Sequence, residues 1–382
     1  MTDTHVKFEK LILFFLILFI LFLPYSIYLS QTAMHLAMIL WLVKIFSLPL
    51  KEKIWIKTPI DTPFFFLIIC LIVSFLANAV TEGYGAQLRS IRSYRHIFIL
   101  FLIVNNIRKE KNLQFLVTAT CFLTSLHALE SCGRFFSDFH QNIYASFGGF
   151  TESVLYWHVF TLALVRLGSV AAKRERIFNF CVCSVTFLGI VVNQKIEVWL
   201  ALLMSMACFV GLKHSKLGKY ILGLTFVLIF GGGVFYLFGG ERVFLQLEAW
   251  RIICEHPLGF VTATKNLLQS LGYQDNIDHF HSDFLQMGVV SGVLGIVSLL
   301  WFFYSYLARL MRSLKPNIQD FRNDLLVFGS IMFAGLMVLM WLGGPLELSK
   351  NMMCIFYFMG IVLWGILKDT RLRETKTLAD LM

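Results

Sequence analysis

Apolar stretches of about twenty residues, the length needed to cross a bilayer as a helix, follow one another along this chain with only short polar breaks. They lie near 11–29, 31–49, 63–80, 88–106, 112–131, 152–172, 177–193, 195–212, 219–238, 284–307, 325–343 and 349–367. A helix that is apolar on every side must be enclosed by other helices or by lipid. About twelve such helices cannot all be interior to one soluble fold. The charge content agrees: 15% of residues are charged, against about 25% in soluble domains, and mean hydropathy is +0.73. No polar segment is long enough for a water-soluble domain. The expectation is an all-α integral membrane protein forming a single polytopic domain over 1–382.

The net charge of +10 does not point to nucleic acid, because the basic residues form no continuous face. They fall in short clusters between apolar runs, the pattern of membrane topology. Placing the N-terminus in the cytoplasm makes seven clusters cytoplasmic: Lys7/Lys10, Lys51/Lys53/Lys57, Arg108/Lys109/Lys111, Lys173/Arg174/Arg176, Lys213/Lys216/Lys219, Arg309/Arg312/Lys315/Arg322 and Lys368/Arg371/Arg373/Lys376. Nine basic residues then lie outside: Arg89, Arg92, Arg95, Arg134, Lys195, Arg242, Arg251, Lys265 and Lys350. Lys44 and Arg166 sit near inner helix ends, where long side chains can snorkel. Both termini are expected inside. Positive residues are normally depleted on the outer side, so each of the nine needs a reason.

Other features are quieter. The first apolar run has no small-residue cleavage site and is followed at once by a second span, so it reads as a retained helix. The eight cysteines include no CxxC pair. Cys181 and Cys183 suit packing, while Cys132 and Cys254 fall in predicted external positions, where spacing alone establishes no disulfide. The glycines Gly231-Gly232-Gly233 and Gly239-Gly240 suit close helix packing and a flexible exit, and form no phosphate-binding GxxxxGK loop.

The longest external segment, 239–283, joins the ninth and tenth predicted spans. It carries Glu241, Arg242, Glu248, Arg251, Glu255, His256, Lys265, Asp275, Asp278, His279 and His281. Its apolar residues Phe244, Leu247, Trp250, Ile252 and Ile253 predict an interfacial amphipathic helix anchored by Trp250. His281 stands at the mouth of the next span. An imidazole there suits general-base work, since its ordinary pKa is near neutrality, though a solvated interfacial histidine fits the residue equally. His279, His281 and Asp283 are metal-ligand types without a complete set at familiar spacing, so no metal is expected. Two further cationic positions accompany the loop. Arg89, Arg92 and His96, at i, i+3 and i+7, share a helical face suited to phosphate groups or to ordinary lipid headgroups. Lys195 lies in a very short external turn, Asn193-Gln194-Lys195-Ile196-Glu197, where it must meet the membrane surface, a cavity or Glu197.

Read in order, Gly240-Glu241-Arg242, Trp250, His256-Pro257-Leu258-Gly259, His281-Ser282 and Gly292-Val293-Leu294-Gly295 resemble the O-antigen ligase family, with its relatives the O-antigen polymerases and protein O-oligosaccharyltransferases. In those proteins a large external loop opens with an arginine, an aromatic-containing helix and a proline. It closes with a His-Asn-type pair before a Gly-x-x-Gly helix. The ordering matches over about 239–304, and the hydropathy pattern over the whole chain. Two positions depart: Ser282 replaces the asparagine, and Lys195 stands where the family carries arginine, keeping the charge but losing the bidentate fork.

The resemblance implies a GT-C-like glycosyltransferase in the bacterial inner membrane, acting at its periplasmic face without metal or other cofactor. The donor would be a glycan on undecaprenyl pyrophosphate and the acceptor a lipid A-core sugar, joined with inversion. It implies His281 as base, Arg242 and Lys195 as pyrophosphate binders, and Arg89 and Arg92 as contacts to lipid phosphate. An O-antigen polymerase would use the same donor with a second lipid-linked repeat as acceptor. A flippase or other transporter fits less well, because the spans carry almost no charge at mid-membrane.

Overall fold

The computed structural model describes residues 3–47, 56–82, 95–138, 150–213, 241–259, 268, 280, 282–314, 320–342 and 349–380. Among them there is no strand, and the helices are α1 (Asp3–Phe22), α2 (Ile27–Ser47), α3 (Asp61–Glu82), a 3₁₀ turn (Arg95–Ile97), α4 (Phe98–Asn106), α5 (Glu110–Asp138), α6 (Phe150–Ser169), α7 (Lys173–Asn193), α8 (Ile196–Lys213), α9 (Glu241–Glu255), α10 (Asp283–Ser313), α11 (Phe321–Leu342) and α12 (Ser349–Asp380). Six of these elements, α2, α5, α7, α10, α11 and α12, contain a stretch long and apolar enough to cross a membrane. The expected ninth span, 219–238, lies outside the described residues.

The architecture follows from which helices are apolar on all sides. Positions 351–367 of α12 are buried without exception, and α4, α6, α10 and α11 pack around that helix. The outward helices α2, α3, α5 and α7 instead expose large apolar side chains, among them Tyr28, Phe46, Leu76, Phe122 and Phe180. In water each would forgo roughly 1.5–3 kcal/mol of burial. Against hydrocarbon the cost disappears, so the fold is that of a membrane-embedded helical bundle.

Chain breaks come where the sequence stops supporting a helix. The run expected near 11–29 is divided around Pro24, whose ring cannot continue a helix; α1 ends at Phe22 and α2 starts at Ile27. The run expected over 88–106 is α-helical from Phe98 among its described residues, with a single 3₁₀ turn before it.

The bundle has two polar ends, each identified by one of its residues. At the Glu9 end, Lys44 is buried. Its Nζ donates to Glu9 Oε1 at 3.4 Å and to Asn106 Oδ1 at 3.2 Å, and Arg108 Nε pairs with the same carboxylate at 3.0 Å. Lys44 therefore turns inward to a partner rather than snorkelling. Arg166 likewise pairs with Glu175 at 3.2 Å and lies 5.2 Å above the Phe321 ring. Buried polar groups inside the bundle are tied across helices as burial demands. Thr120 and Tyr357 share a 2.6 Å hydrogen bond, and Arg322 Nε donates to Gly365 O at 2.8 Å.

Candidate functional site

At the other end, marked by Tyr25, the start of the segment expected as an external loop is a helix docked on the bundle. Leu245, Ala249, Ile252 and Ile253 of α9 recur at helical spacing. They bury against Leu285 and Val289 of α10, with Leu268 and Phe280 in the same cluster. The apolar residues expected to form one interfacial face are thus divided between two. Ile252 and Ile253 are interior, whereas Phe244, Leu247 and Trp250 remain exposed.

The docking is fixed by backbone geometry. Within α10, Gly292 adopts φ 68°, ψ −167°, which breaks the helix. The turn after α9, His256-Pro257-Leu258-Gly259, fits into that break. Val293 N–H donates to Pro257 O at 3.1 Å, and Gly259 N–H donates to His256 O at 2.8 Å. Next to Gly259, the Ser74 hydroxyl of α3 donates to Val290 O at 2.6 Å. Backbone groups freed by a helix break inside a membrane protein need such partners, because hydrocarbon offers none. The turn, the break and α3 therefore interlock.

The residue expected to act as base stands before α10. His281 itself lies outside the described residues, but its neighbours do not: Phe280 is 0% and Ser282 2% exposed. Asp283 and Gln286, in the first turn of α10, are also buried. Arg242 belongs to the first turn of α9, with its side chain outside the described residues, and Arg89 and Arg92 also fall outside. Lys195 is described: half-buried in the two-residue turn between α7 and α8, its carbonyl accepts from Val198 N–H and Trp199 N–H at 3.1 Å. Gln194 before it is left-handed, φ 52°. Lys195 thus starts α8, where the helix dipole also favours an anion.

Several of the cations expected outside find partners here. Arg134 pairs with Glu130, and Arg251 with Glu248. Arg95 Nη2 donates to Gln31 Oε1 at 3.2 Å, and Lys350 Nζ to Pro24 O at 3.4 Å. Cys132 and Cys254 are free thiols.

One constellation at this end has no counterpart among the sequence expectations. Tyr156 Oη hydrogen-bonds His127 Nδ1 at 2.6 Å and Ser131 Oγ at 2.7 Å, joining α5 to α6 in a buried network. Tyr25 stands edge-on to the His127 ring at 4.9 Å. Gly189 of α7 lies against the Tyr156 ring, and one turn further on the same face is Asn193, 0% exposed, next to the Lys195 turn. The available signal was His127, Glu130 and Arg134 at i, i+3 and i+7 in an otherwise apolar helix. Tyr156→Phe removes one oxygen from two buried partners, so a loss of about 1–2 kcal/mol is expected. A lowered thermal midpoint in detergent, with Ser131→Ala adding little to the double variant, would report it.

This end thus carries a cation at a helix start, a docked helix with a further arginine, and exposed apolar side chains. Such a setting suits a reaction between amphiphiles with anionic head groups. Neither a protein-family model nor a curated protein matches the chain.

Proposed function

We propose that this chain is an O-antigen ligase-like glycosyltransferase that moves a glycan from undecaprenyl pyrophosphate to lipid A-core. The observation that carries the reading is the interlock of Pro257–Gly259 with Gly292. Two sequence pieces that underlie the family resemblance, separate in the chain, act as one structural unit. The concentration of basic residues in alternate loops supports about twelve spans, both termini in the cytoplasm and a periplasmic Tyr25 end.

In this reading His281 takes the proton of the acceptor hydroxyl as that oxygen attacks the anomeric carbon. The bond from that carbon to the pyrophosphate oxygen breaks with inversion, and its electron pair leaves with undecaprenyl pyrophosphate. Arg242 and Lys195 stabilise the leaving group. Its charge grows in the transition state, so fixed cations there lower the barrier more than they strengthen ground-state binding. Arg89 and Arg92 hold lipid phosphate.

A deletion strain is expected to make lipid A-core without attached polysaccharide while accumulating full-length lipid-linked glycan. Wild-type and Lys195→Arg genes should restore attachment, and Lys195→Ala should not. Lipid-linked glycan reduced to single repeats would identify a polymerase instead, and unchanged attachment in the deletion strain would remove both.

A further inference from the structure

At the Glu9 end, away from the proposed catalytic end, four helices enclose a cavity of roughly 680 Å³, a size typical of small-ligand sites. It lies between the start of α5, the α6–α7 connection and the start of α11. Its charged lining is Arg166, Arg174, Glu175, Asp320 and Asp324. Three of these charges are already engaged. Arg166 pairs with Glu175 at 3.2 Å. Asp320 Oδ1 accepts from Asn323 N–H at 2.7 Å, capping α11. Arg174 and Asp324 remain. Asp324 is only 7% exposed; no cation lies within salt-bridge distance among the described residues, and its charge is stabilised only by the Ser169 side chain and, from further off, by Arg166. A buried carboxylate whose nearest cation is distant and already paired with Glu175 is costly. Arg166 Nε–H, also buried, lacks a hydrogen-bond partner among the described residues.

The wall therefore presents one cation with a spare guanidinium donor, and one buried acid. That is the complement of a zwitterion carrying a phosphate and an amine. The surface beside the cavity extends the match. Thr118 of the lining shares a helical stripe with Phe115, Phe122, Leu126 and Leu129, all exposed and recurring at i, i+3, i+7, i+11 and i+14. From 118 to 129 this stripe runs about 16 Å at 1.5 Å per residue, close to the hydrocarbon depth of one leaflet, about 15 Å. Ile177 and Phe180 of α7, which packs on α5, expose apolar surface alongside.

We propose that this cavity is a headgroup site for phosphatidylethanolamine, with an acyl chain along the α5 stripe. Arg174 and Arg166 Nε–H hold the phosphate, and Asp324 accepts from the ammonium. The primary amine is the selective feature: it donates up to three hydrogen bonds, whereas a choline group donates none and a glycerol headgroup brings Asp324 no positive charge. The site is independent of the proposed transfer reaction.

The test titrates the purified, delipidated full chain in detergent with phosphatidylethanolamine, phosphatidylcholine or phosphatidylglycerol of identical acyl chains, read by native mass spectrometry. Phosphatidylethanolamine is expected to bind about ten-fold more tightly than either, a difference of about 1.4 kcal/mol. Asp324→Asn should remove the preference. Arg174→Gln, an exposed position whose replacement leaves the packing intact, should weaken phosphatidylethanolamine binding several-fold. Soluble phosphoethanolamine should fail to displace the lipid at equal concentration. Equal binding of the three lipids by wild-type protein, a preference unchanged in Asp324→Asn, phosphatidylethanolamine affinity unchanged in Arg174→Gln, or full displacement by soluble phosphoethanolamine would each overturn the proposal.

Discussion

Gly292→Ala is expected to unseat the loop from the bundle, with a loss of at least about 3 kcal/mol. Two costs combine. At φ 68°, ψ −167° the backbone occupies a region essentially reserved for glycine, and a side chain there costs about 1–3 kcal/mol. The new Cβ would also run into Pro257 O, and would lie 2.7 Å from Gly259 N. Both obstacles are backbone atoms, so no rotamer change relieves them. The turn would have to withdraw, breaking the Val293-to-Pro257 hydrogen bond and leaving polar backbone exposed to apolar surroundings. Gly259, at φ 95° with Val290 O 2.5 Å from its would-be Cβ, should respond the same way. Gly133→Ala is the control, since nothing lies within 4 Å of its Cβ position. The thermal midpoint in detergent and protease cleavage at 256–259 provide the readouts. A Gly292→Ala protein as stable and as protected as wild type would refute the interlock.

His281→Ala is expected to reduce glycan transfer by about 10²–10⁴-fold, the usual contribution of a general base, without loss of folded protein. The flanking side chains, Phe280 and Ser282, are buried and are kept by the substitution. Phe280→Ala provides the contrast. It empties a fully buried aromatic position, and should lower stability by about 3–5 kcal/mol. Transfer from a purified lipid-linked glycan to lipid A-core, normalised to folded enzyme, separates the two effects. Wild-type rates from His281→Ala would dismiss the base assignment.

The membrane character and most helix positions are legible in the hydropathy pattern. Runs such as 152–172 and 349–367 correspond closely to the starts of α6 and α12, although α12 continues beyond its run. The helix within the loop is also legible, from the spacing of Phe244 through Ile253. Its two faces are not. Ile252 and Trp250 look alike to a hydropathy scale, and only the position of α10 makes one interior and the other exposed. His127 and Tyr156 escape notice in the sequence because they lie on different helices, and nothing in the spacing of either pairs it with the other. Their meaning lies in the 2.6 Å hydrogen bond between two different helices.

By itself, then, the sequence determined that the chain forms apolar helices of membrane length and where its basic residues concentrate. Hydropathy and charge act locally and add along the chain, so they can be summed without knowing the neighbours. The tertiary structure alone decided that Lys44 faces Glu9, that Gly259 meets Gly292, and that Ser74 reaches Val290 across 216 residues of sequence. These depend on which backbone and polar groups meet once the helices pack, and a buried polar group's energy is set by the partner it finds.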